Sequence, residues 1–346
     1  MSNRREYLSV LATGLTAAVG GCLQDGGDGP ADGTATDAES TDAVATDTEA
    51  EPDSGTERET PLEGSIRITG SSTAFPFSQA VVEEFREQHP RVEFSVSRDG
   101  TGGGFANLFC PGNADFNNAS RSISAEEQQQ CNSGGVEYHG MTVARDALTV
   151  VVNTDNDWVD CMTTDQLRQV WRADGASTWS DVNSSWPDEE IQRFGPTDTS
   201  GTFDFFRAEV IDEAATHTTD YAPTEQDDFI VQGVQSDQYA IGYLGFSYYR
   251  NNSDAVRALG IDDGDGCVEP SLDTAASGTY PLARPLFTYV NTDRLAEDHV
   301  AAFARYYVEQ SADTELVADE VGYVPNSEEQ VQSELAALND AIADAQ

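Results

Sequence analysis

Phe194-Gly-Pro-Thr-Asp-Thr-Ser-Gly-Thr-Phe-Asp-Phe-Phe206 is the stretch around which this chain is organised. Pro196 and Gly201 interrupt regular structure, and an apolar-rich segment suited to a helix follows from Phe203. This layout predicts a loop that enters a helix, with Ser200 as the N-cap. Because the first amides of a helix lack internal partners and carry partial positive charge, the stretch is a candidate anion site. For a single such stretch, an ordinary N-cap is the better explanation.

The same arrangement occurs near the start of the folded region. Residues 65–69 alternate as a short strand, and a hydroxyl-rich turn follows at residues 70–76. Phe77, Val81 and Phe85 then recur at every fourth position, which predicts one apolar stripe on a helix. The chain therefore contains two strand, turn and helix units of one kind.

Two further motifs lie between these units. Residues 92–96 alternate as a strand and run into the glycine-rich residues 99–104, where glycine would let backbone amides approach a ligand. This segment fits neither the P-loop nor the dinucleotide fingerprint, so nucleotide binding is disfavoured. Arg121 follows at the end of residues 114–121, and its guanidinium could hold a tetrahedral oxyanion in a fork. A salt bridge to one of the many acidic residues is an almost equally good explanation of Arg121.

The charge of the chain limits its partners. The formal net charge is -44 in 346 residues, with 62 acidic residues and no lysine among the 18 basic ones. Nucleic acid and acidic membrane surfaces are therefore disfavoured. The absence of lysine excludes Schiff-base chemistry. An acidic surface of this kind indicates adaptation to high salt, where repulsion is screened within about 3 Å at 1 M. A calcium-binding surface is a weaker alternative, because no calcium-loop motif occurs.

The N-terminus has the features of an export signal. Arg4 and Arg5 precede a short apolar segment, and small residues stand directly before Cys22. Residues 1–22 therefore resemble a twin-arginine signal ending in a lipobox, with Cys22 as the lipidated residue that anchors the protein to the outer face of the cell membrane. Residues 23–62 are acidic and small and contain no aromatic side chain, which predicts a disordered tether.

Four motifs in order resemble those of the phosphate-binding proteins of the high-affinity phosphate ABC importer. The resemblance covers about residues 65–312. It implies an α/β class, type II periplasmic-binding-protein fold in which phosphate lies between two α/β domains joined by two crossovers. It also implies delivery to ABC permease subunits, a monomer, no cofactor and no enzyme activity. The motifs are Gly70-Ser-Ser-Thr-Ala-Phe-Pro76, the glycine turn at Thr101, Asp115-Phe-Asn-Asn-Ala-Ser-Arg121 and Thr197-Asp-Thr-Ser-Gly-Thr-Phe203.

The resemblance also implies which residues bind phosphate. Carried over position by position, they are Thr73, Ala74, Phe75, Thr101, Ser120, Arg121, Ser200, Gly201 and Thr202. The best-known branch of the family has an arginine at the position of Pro196 and an aspartate at the position of Arg121. The carboxylate that would accept the proton of hydrogen phosphate is therefore unassigned, with Asp204 slightly favoured over Asp198 and Asp99.

The domain boundaries follow from two apolar runs. Residues 147–152 are continuously apolar apart from one threonine, which is typical of a buried strand and of a crossover. Residues 284–290 are the expected return crossover. We therefore expect domain I at residues 63–146 and 285–346, and domain II at residues 147–284. Core or loop packing explains Trp171, Trp179 and Trp186 of domain II better than ligand stacking does.

Four cysteines remain for disulfides once Cys22 is assigned to lipid. Three pairings are possible, and we favour Cys110 with Cys131 and Cys161 with Cys267. Zinc is the competing interpretation, but the chain has no C-x2-C spacing and its four histidines form no ligand pattern, so no metal site is expected.

Other functions remain open at this point. A binding protein for sulfate or another oxyanion would use the same donors, although only hydrogen phosphate offers a proton to a buried carboxylate. A metal-dependent phosphoesterase is the alternative from another class, yet the sequence lacks G-x-S-x-G and H-E-x-x-H. A surface lipoprotein without a transport role is a third alternative.

Overall fold

The computed structural model describes residues 61–211 and 215–346. The predicted export signal with Cys22 lies outside the described residues, and so does the predicted tether except for Pro61 and Leu62.

Strands and helices alternate along the described chain, which confirms the predicted α/β class. The strands are β1 (Gly64–Gly70), β2 (Val92–Val96), β3 (Phe116–Ala119), β4 (Tyr138–Ala147), β5 (Thr149–Asn153), β6 (Cys161–Thr163), β7 (Gln192–Gly195), β8 (Ala222–Pro223), β9 (Ala240–Leu244), β10 (Val256–Ala258), β11 (Gly260–Asp262) and β12 (Ala283–Asn291). The helices are α1 (Phe75–Gln88), α2 (Thr101–Gly104), α3 (Ala125–Gly134), α4 (Thr164–Trp171), α5 (Trp179–Val182), α6 (Gly201–Phe206), α7 (Asp227–Ser236), α8 (Phe246–Asn251), α9 (Leu272–Ala276), α10 (Asp298–Gln310) and α11 (Glu328–Ala345).

The strands form two five-stranded sheets and one small pair. The first sheet has the order β2-β1-β3-β12-β4, and the second has the order β10-β5-β9-β7-β8. In the first sheet β1 runs parallel to β2 and β3, whereas β12 runs antiparallel to β3 and β4. Strands β6 and β11 pair in parallel.

Each large sheet has its own apolar core. Phe77, Val81 and Phe85 are all buried on α1, as their spacing predicts, and they pack with Phe303 of α10 against the first sheet. Each such side chain stabilises the fold by about 1.5–3 kcal/mol when it leaves water. The tryptophan prediction is also confirmed, because Trp171 and Trp179 are fully buried in the second core and Trp186 packs against it.

The two connections between the sheets run side by side. Strand β4 ends at Ala147 in the first sheet, and β5 begins at Thr149 in the second. The amide of Leu148, between them, donates to the Leu282 carbonyl at 2.9 Å. The return connection is complete before β12, because β12 pairs with β4 from Ala283 onward. The expected return crossover at residues 284–290 is therefore a strand of the first sheet, and the crossing precedes it.

Both favoured disulfides are present in the described chain. Cys110 bonds Cys131 of α3, and Cys161 of β6 bonds Cys267, which follows β11. The two links close loops of 21 and 106 residues, one beside each sheet.

Candidate functional site

The four sequence motifs all follow the carboxyl ends of strands. Three of them follow β1, β2 and β3, which are parallel neighbours, so their turns share one edge of the first sheet. The fourth follows β7 in the second sheet. Ligands of α/β sheets bind at such edges, so the position of the motifs is consistent with a binding site.

The first and fourth turns meet through their threonines. Thr73 Oγ1 and Thr202 Oγ1 lie 2.8 Å apart, and both side chains are buried. Ser200 is the N-cap of α6, as predicted, and its hydroxyl accepts the Thr202 amide at 3.1 Å. The Tyr323 hydroxyl donates to the Thr73 carbonyl, which fixes the first turn from below. The structure thus brings Thr73, Ser200 and Thr202 together.

The second and third turns join the same cluster. Thr101 Oγ1 accepts the Ser120 amide at 3.1 Å, and the Gly102 amide donates to the Thr199 carbonyl at 3.0 Å. A Cβ atom on Gly201 would lie 2.4 Å from Thr101 Oγ1 and 2.6 Å from Ser120 Oγ. Glycine is therefore required at position 201, because any side chain there would separate the turns.

The backbone amides of Ala74 and Phe75 lie at the start of α1. The Ala74 amide donates to Ser71 Oγ and the Phe75 amide to the Ser72 carbonyl, both at 3.3 Å. Both bonds are slightly longer than a normal N–H···O bond, so an anion at this turn could compete for both donors.

A buried ion pair that the sequence analysis did not single out lies beneath the threonines. Arg284 of β12 and Asp146 of β4 stand opposite each other in the sheet register, with side chains 1% and 0% exposed. Arg284 Nη2 donates to Asp146 Oδ2 at 3.0 Å, to Thr73 Oγ1 at 3.2 Å and to Thr202 Oγ1 at 2.9 Å. Asp146 Oδ1 accepts the Phe246 amide at 2.9 Å.

This pair places a cation at the junction of both sheets. An isolated buried charge is strongly unfavourable, and Asp146 compensates that of Arg284. The pair remains close to both threonines because Asp146 is fixed by β4 and by the Phe246 amide. The sequence carries only a weak signal for this pair: Arg284 is the one charge within residues 282–290, and Asp146, next to Arg145, directly precedes the apolar run at residues 147–152.

Arg121 lies at the rim of the cluster, held by two acids. Its Nη atoms donate to both carboxylate oxygens of Glu127 at 2.8 Å, and its Nε donates to Asp204 Oδ2 at 2.7 Å. Burial opposes the charge, but the hydrogen bonds and charges of Glu127 and Asp204 outweigh it and raise the pKa of the Arg121 guanidinium. The second Nη1 hydrogen goes to the Ser122 carbonyl, so four of the five N–H groups have partners within the described chain.

The three acids named as candidate proton acceptors differ in their surroundings. Asp204 is engaged by Arg121, and Asp198 is exposed. Asp99 Oδ2 accepts the hydroxyls of Thr69 at 2.6 Å and Ser97 at 2.5 Å. Among the described contacts, none of the three carboxylates bonds to Thr73, Thr101 or Thr202.

Two acids that were not singled out from the sequence lie next to these turns, Glu225 half-buried and Asp227 buried. Glu225 accepts the Thr197 hydroxyl, and its Oε2 lies 3.0 Å from where a Cβ atom on Gly100 would be. Burial raises the pKa of Glu225, although the threonine hydroxyls oppose that shift. Asp227, the first residue of α7, is 3% exposed, and burial raises its pKa to about 7. No local pattern distinguishes these acids from the many solvated ones.

Across residues 61–211 and 215–346, no three His, Cys, Asp or Glu side chains are grouped so as to hold a metal ion. Within the same part of the chain, no helix has both the length and the apolar character needed to cross a bilayer.

The chain matches a known superfamily over most of its length. A sequence model described as "PBP superfamily domain" matches residues 38–311. Protein SphX from a Synechocystis species is 40% identical over 271 residues, which are 77% of this chain and 79% of that protein. Phosphate-binding protein PstS from Staphylococcus haemolyticus is 37% identical over 279 residues, which are 80% of this chain and 86% of that protein.

A solved structure is similar in both sequence and fold. It is the crystal structure of a possible phosphate binding protein from Planctomyces limnophilus, 40% identical to this chain. The superposition has a TM-score of 0.59 and covers 81% of this chain and 99% of that one.

Proposed function

The chain belongs to the phosphate-binding proteins of the PBP superfamily, with their type II fold, and from this we propose that it captures inorganic phosphate and passes it to an ABC permease. Phosphate would lie where the four turns meet. The names of the relatives and the donor groups that the turns bring together both support this proposal.

The contact between Thr73 and Thr202, both hydrogen-bonded to Arg284, is the observation that supports this proposal most directly. Two hydroxyls from turns of different sheets and one buried guanidinium converge on one point. Hydroxyls, backbone amides and a guanidinium are the donors that a tetrahedral oxyanion requires. A site of this kind rejects solutes that leave its buried donors without partners.

The proposed ligands extend the set implied by the resemblance. Amides and hydroxyls would come from the four turns, and Arg284 would supply positive charge beneath them. Arg121 would close the rim with its remaining Nη2 hydrogen, and Asp204 would hold it in place. The turn residues in this set are Thr73, Ala74, Phe75, Thr101, Ser120, Ser200, Gly201 and Thr202.

The two sheets with their cores would act as two lobes, at residues 63–146 with 285–346 and at residues 147–284, and the start of β12 at Ala283 and Arg284 would lie on the boundary between them. The Arg121–Asp204 bond and the Thr73–Thr202 contact join groups on opposite sides of this division. Both contacts would open if the lobes separated, so phosphate release would follow from lobe opening. Small-angle scattering should show a smaller radius of gyration with phosphate, and identical profiles would contradict lobe closure.

The proposal also includes location and partners. The twin-arginine signal would export the chain, lipid on Cys22 would anchor it to the outer face of the membrane, and residues 23–62 would tether the domain near the permease. We expect a monomer whose acidic surface is adapted to high salt. Mass spectrometry of the exported protein should find a lipidated N-terminal Cys22.

Isothermal titration calorimetry in high salt tests the binding function. We expect one phosphate per chain and much weaker binding of sulfate, because sulfate carries no proton for a buried carboxylate. Equal affinity for sulfate would favour a general oxyanion receptor. Turnover of a generic phosphoester, assayed with and without divalent metal, would favour the phosphoesterase. Binding of neither anion, with no turnover, would favour the surface lipoprotein.

A further inference from the structure

Asp227 is a buried carboxyl group with an unsatisfied oxygen. Its Oδ2 has no hydrogen-bond partner among the described residues, and the residue is 3% exposed. It faces Ser72, which immediately precedes Thr73 of the proposed phosphate site. The Ser72 carbonyl is itself held by the Tyr248 hydroxyl at 3.0 Å. Asp227 thus lies behind the first turn rather than on the protein surface.

Charged and titratable groups face Asp227 from several elements. Glu225, in the loop before α7, adds a like charge, whereas Arg98 after β2 and Arg284 of β12 add opposite ones. Tyr248 of α8 and Tyr323 also face Asp227, and both are neutral phenols. Burial is the main cause that raises the pKa of each tyrosine, and the charge of Asp227 raises it further. Asp228 is half-exposed and lies 3.7 Å from Arg98.

Both arginines already interact with other groups. Arg284 is paired with Asp146, and the guanidinium of Arg98 stacks on Phe75 and lies near Asp228. Neither forms an ion pair with Asp227 in the described chain. An ionised carboxylate in this position would lack a partner for Oδ2, whereas the protonated form carries no charge to compensate.

A phosphate dianion at Thr73 would make the ionised form of Asp227 still less favourable. One charge within about 10 Å shifts a pKa by about one unit at an effective dielectric of about 20, and the dianion carries two. The negative charge of Glu225 also disfavours ionisation of Asp227.

We propose that Asp227 takes up a proton when phosphate binds, so that phosphate capture by this protein is coupled to proton uptake. This inference rests on the proposed phosphate-binding function. It assigns Asp227 a linkage role behind the first turn, and it does not require Asp227 to touch phosphate.

Calorimetry in buffers of different ionisation enthalpy measures the coupling directly. At pH 8.5 free phosphate is almost wholly the dianion. Any proton that phosphate itself takes up on binding is also taken up with the Asp227→Asn variant, so the difference between wild type and this variant measures proton uptake by Asp227. We expect wild type to take up more than half a proton per phosphate bound. Asp227→Asn should reduce the uptake to near zero while phosphate still binds. Asp254→Asn makes the same chemical change at an exposed position and should behave like wild type.

Each result has a defined meaning. Equal proton uptake by wild type and Asp227→Asn, or tight phosphate binding without uptake in wild type, would overturn the inference and leave the proposed function intact. If no phosphate binds, the proposed function fails, and carbon-13 NMR titration of the Asp carboxyls in the ligand-free protein still tests Asp227. A midpoint near 4 for Asp227 would overturn the inference. Asp227→Ser replaces Asp227→Asn if the latter does not fold.

Discussion

The hydroxyls of Thr73 and Thr202 lie 2.8 Å apart although 129 positions separate them in the chain. Each belongs to a turn of a different sheet, and each accepts a hydrogen bond from Arg284 Nη2. The three groups therefore form one unit, and the contribution of either hydroxyl to binding should depend on the other.

Replacing either threonine with valine should weaken phosphate binding. Thr73→Val and Thr202→Val keep the side-chain shape but remove a donor, and we expect each to weaken binding about 5- to 20-fold, or about 1–2 kcal/mol. The double variant should lose less than the sum, because the hydroxyls act together. Titration calorimetry measures all three. Thr288→Val removes a buried hydroxyl that has no hydrogen-bond partner among the described residues, and it should leave affinity unchanged. Strict additivity of the two site variants would contradict coupling.

Arg284 should affect both folding and binding. Arg284→Met leaves Asp146 as an uncompensated buried charge and should destabilise the protein by about 3–5 kcal/mol. The double variant Arg284→Met/Asp146→Asn removes that charge while keeping an acceptor for the Phe246 amide, so most of the stability should return. Phosphate affinity should stay at least 100-fold below wild type in the double variant. Urea denaturation and calorimetry measure the two effects, and wild-type affinity in the double variant would exclude Arg284 from the site.

Arg121→Ala should weaken phosphate binding at least tenfold, because it removes the Nη2 hydrogen proposed to donate to the ligand. Glu127→Gln retains the Arg121 guanidinium but weakens the bonds that position it, so this variant should reduce affinity less. An unchanged affinity in Arg121→Ala would mean that Arg121 serves only to pair with Glu127 and Asp204. Calorimetry with the two variants side by side distinguishes these outcomes.

The turns were predictable from sequence, whereas the charges beneath them were not. Ser200 and Thr73 are found by local signals, because a strand, a hydroxyl-rich turn and an apolar helical stripe follow each other along the chain. Arg284 meets Asp146 through the antiparallel register of β12 with β4, which joins residues 138 positions apart. Asp227 is distinguished from other acids only by burial, and burial arises from the folded arrangement of α7 against the first turn.

The two disulfides should contribute unequally to stability. Closing 21 residues lowers the entropy of the unfolded chain less than closing 106, with expected contributions of about 3 and about 5 kcal/mol. Cys161→Ala/Cys267→Ala should therefore lower the melting temperature more than Cys110→Ala/Cys131→Ala. Calorimetric unfolding of both double variants measures this difference, and the reverse order would show that loop closure is not the dominant effect.

Asp227 should make stability depend on pH even without phosphate. Burial raises its folded pKa to about 7 from an ordinary value of 3.8, so the folded state binds more protons than the unfolded state between these values. Its stabilising effect is fully present below about pH 4 and is lost as the pH rises through about 7. Relative to Asp227→Asn, the free energy of unfolding of wild type should fall by on the order of 4 kcal/mol across this range.

Urea denaturation of both proteins at pH 4.5, 6 and 8 in high salt measures the difference, with Asp254→Asn as the matched exposed control. A constant difference between wild type and Asp227→Asn at all three pH values would show that Asp227 has an ordinary pKa in the folded protein.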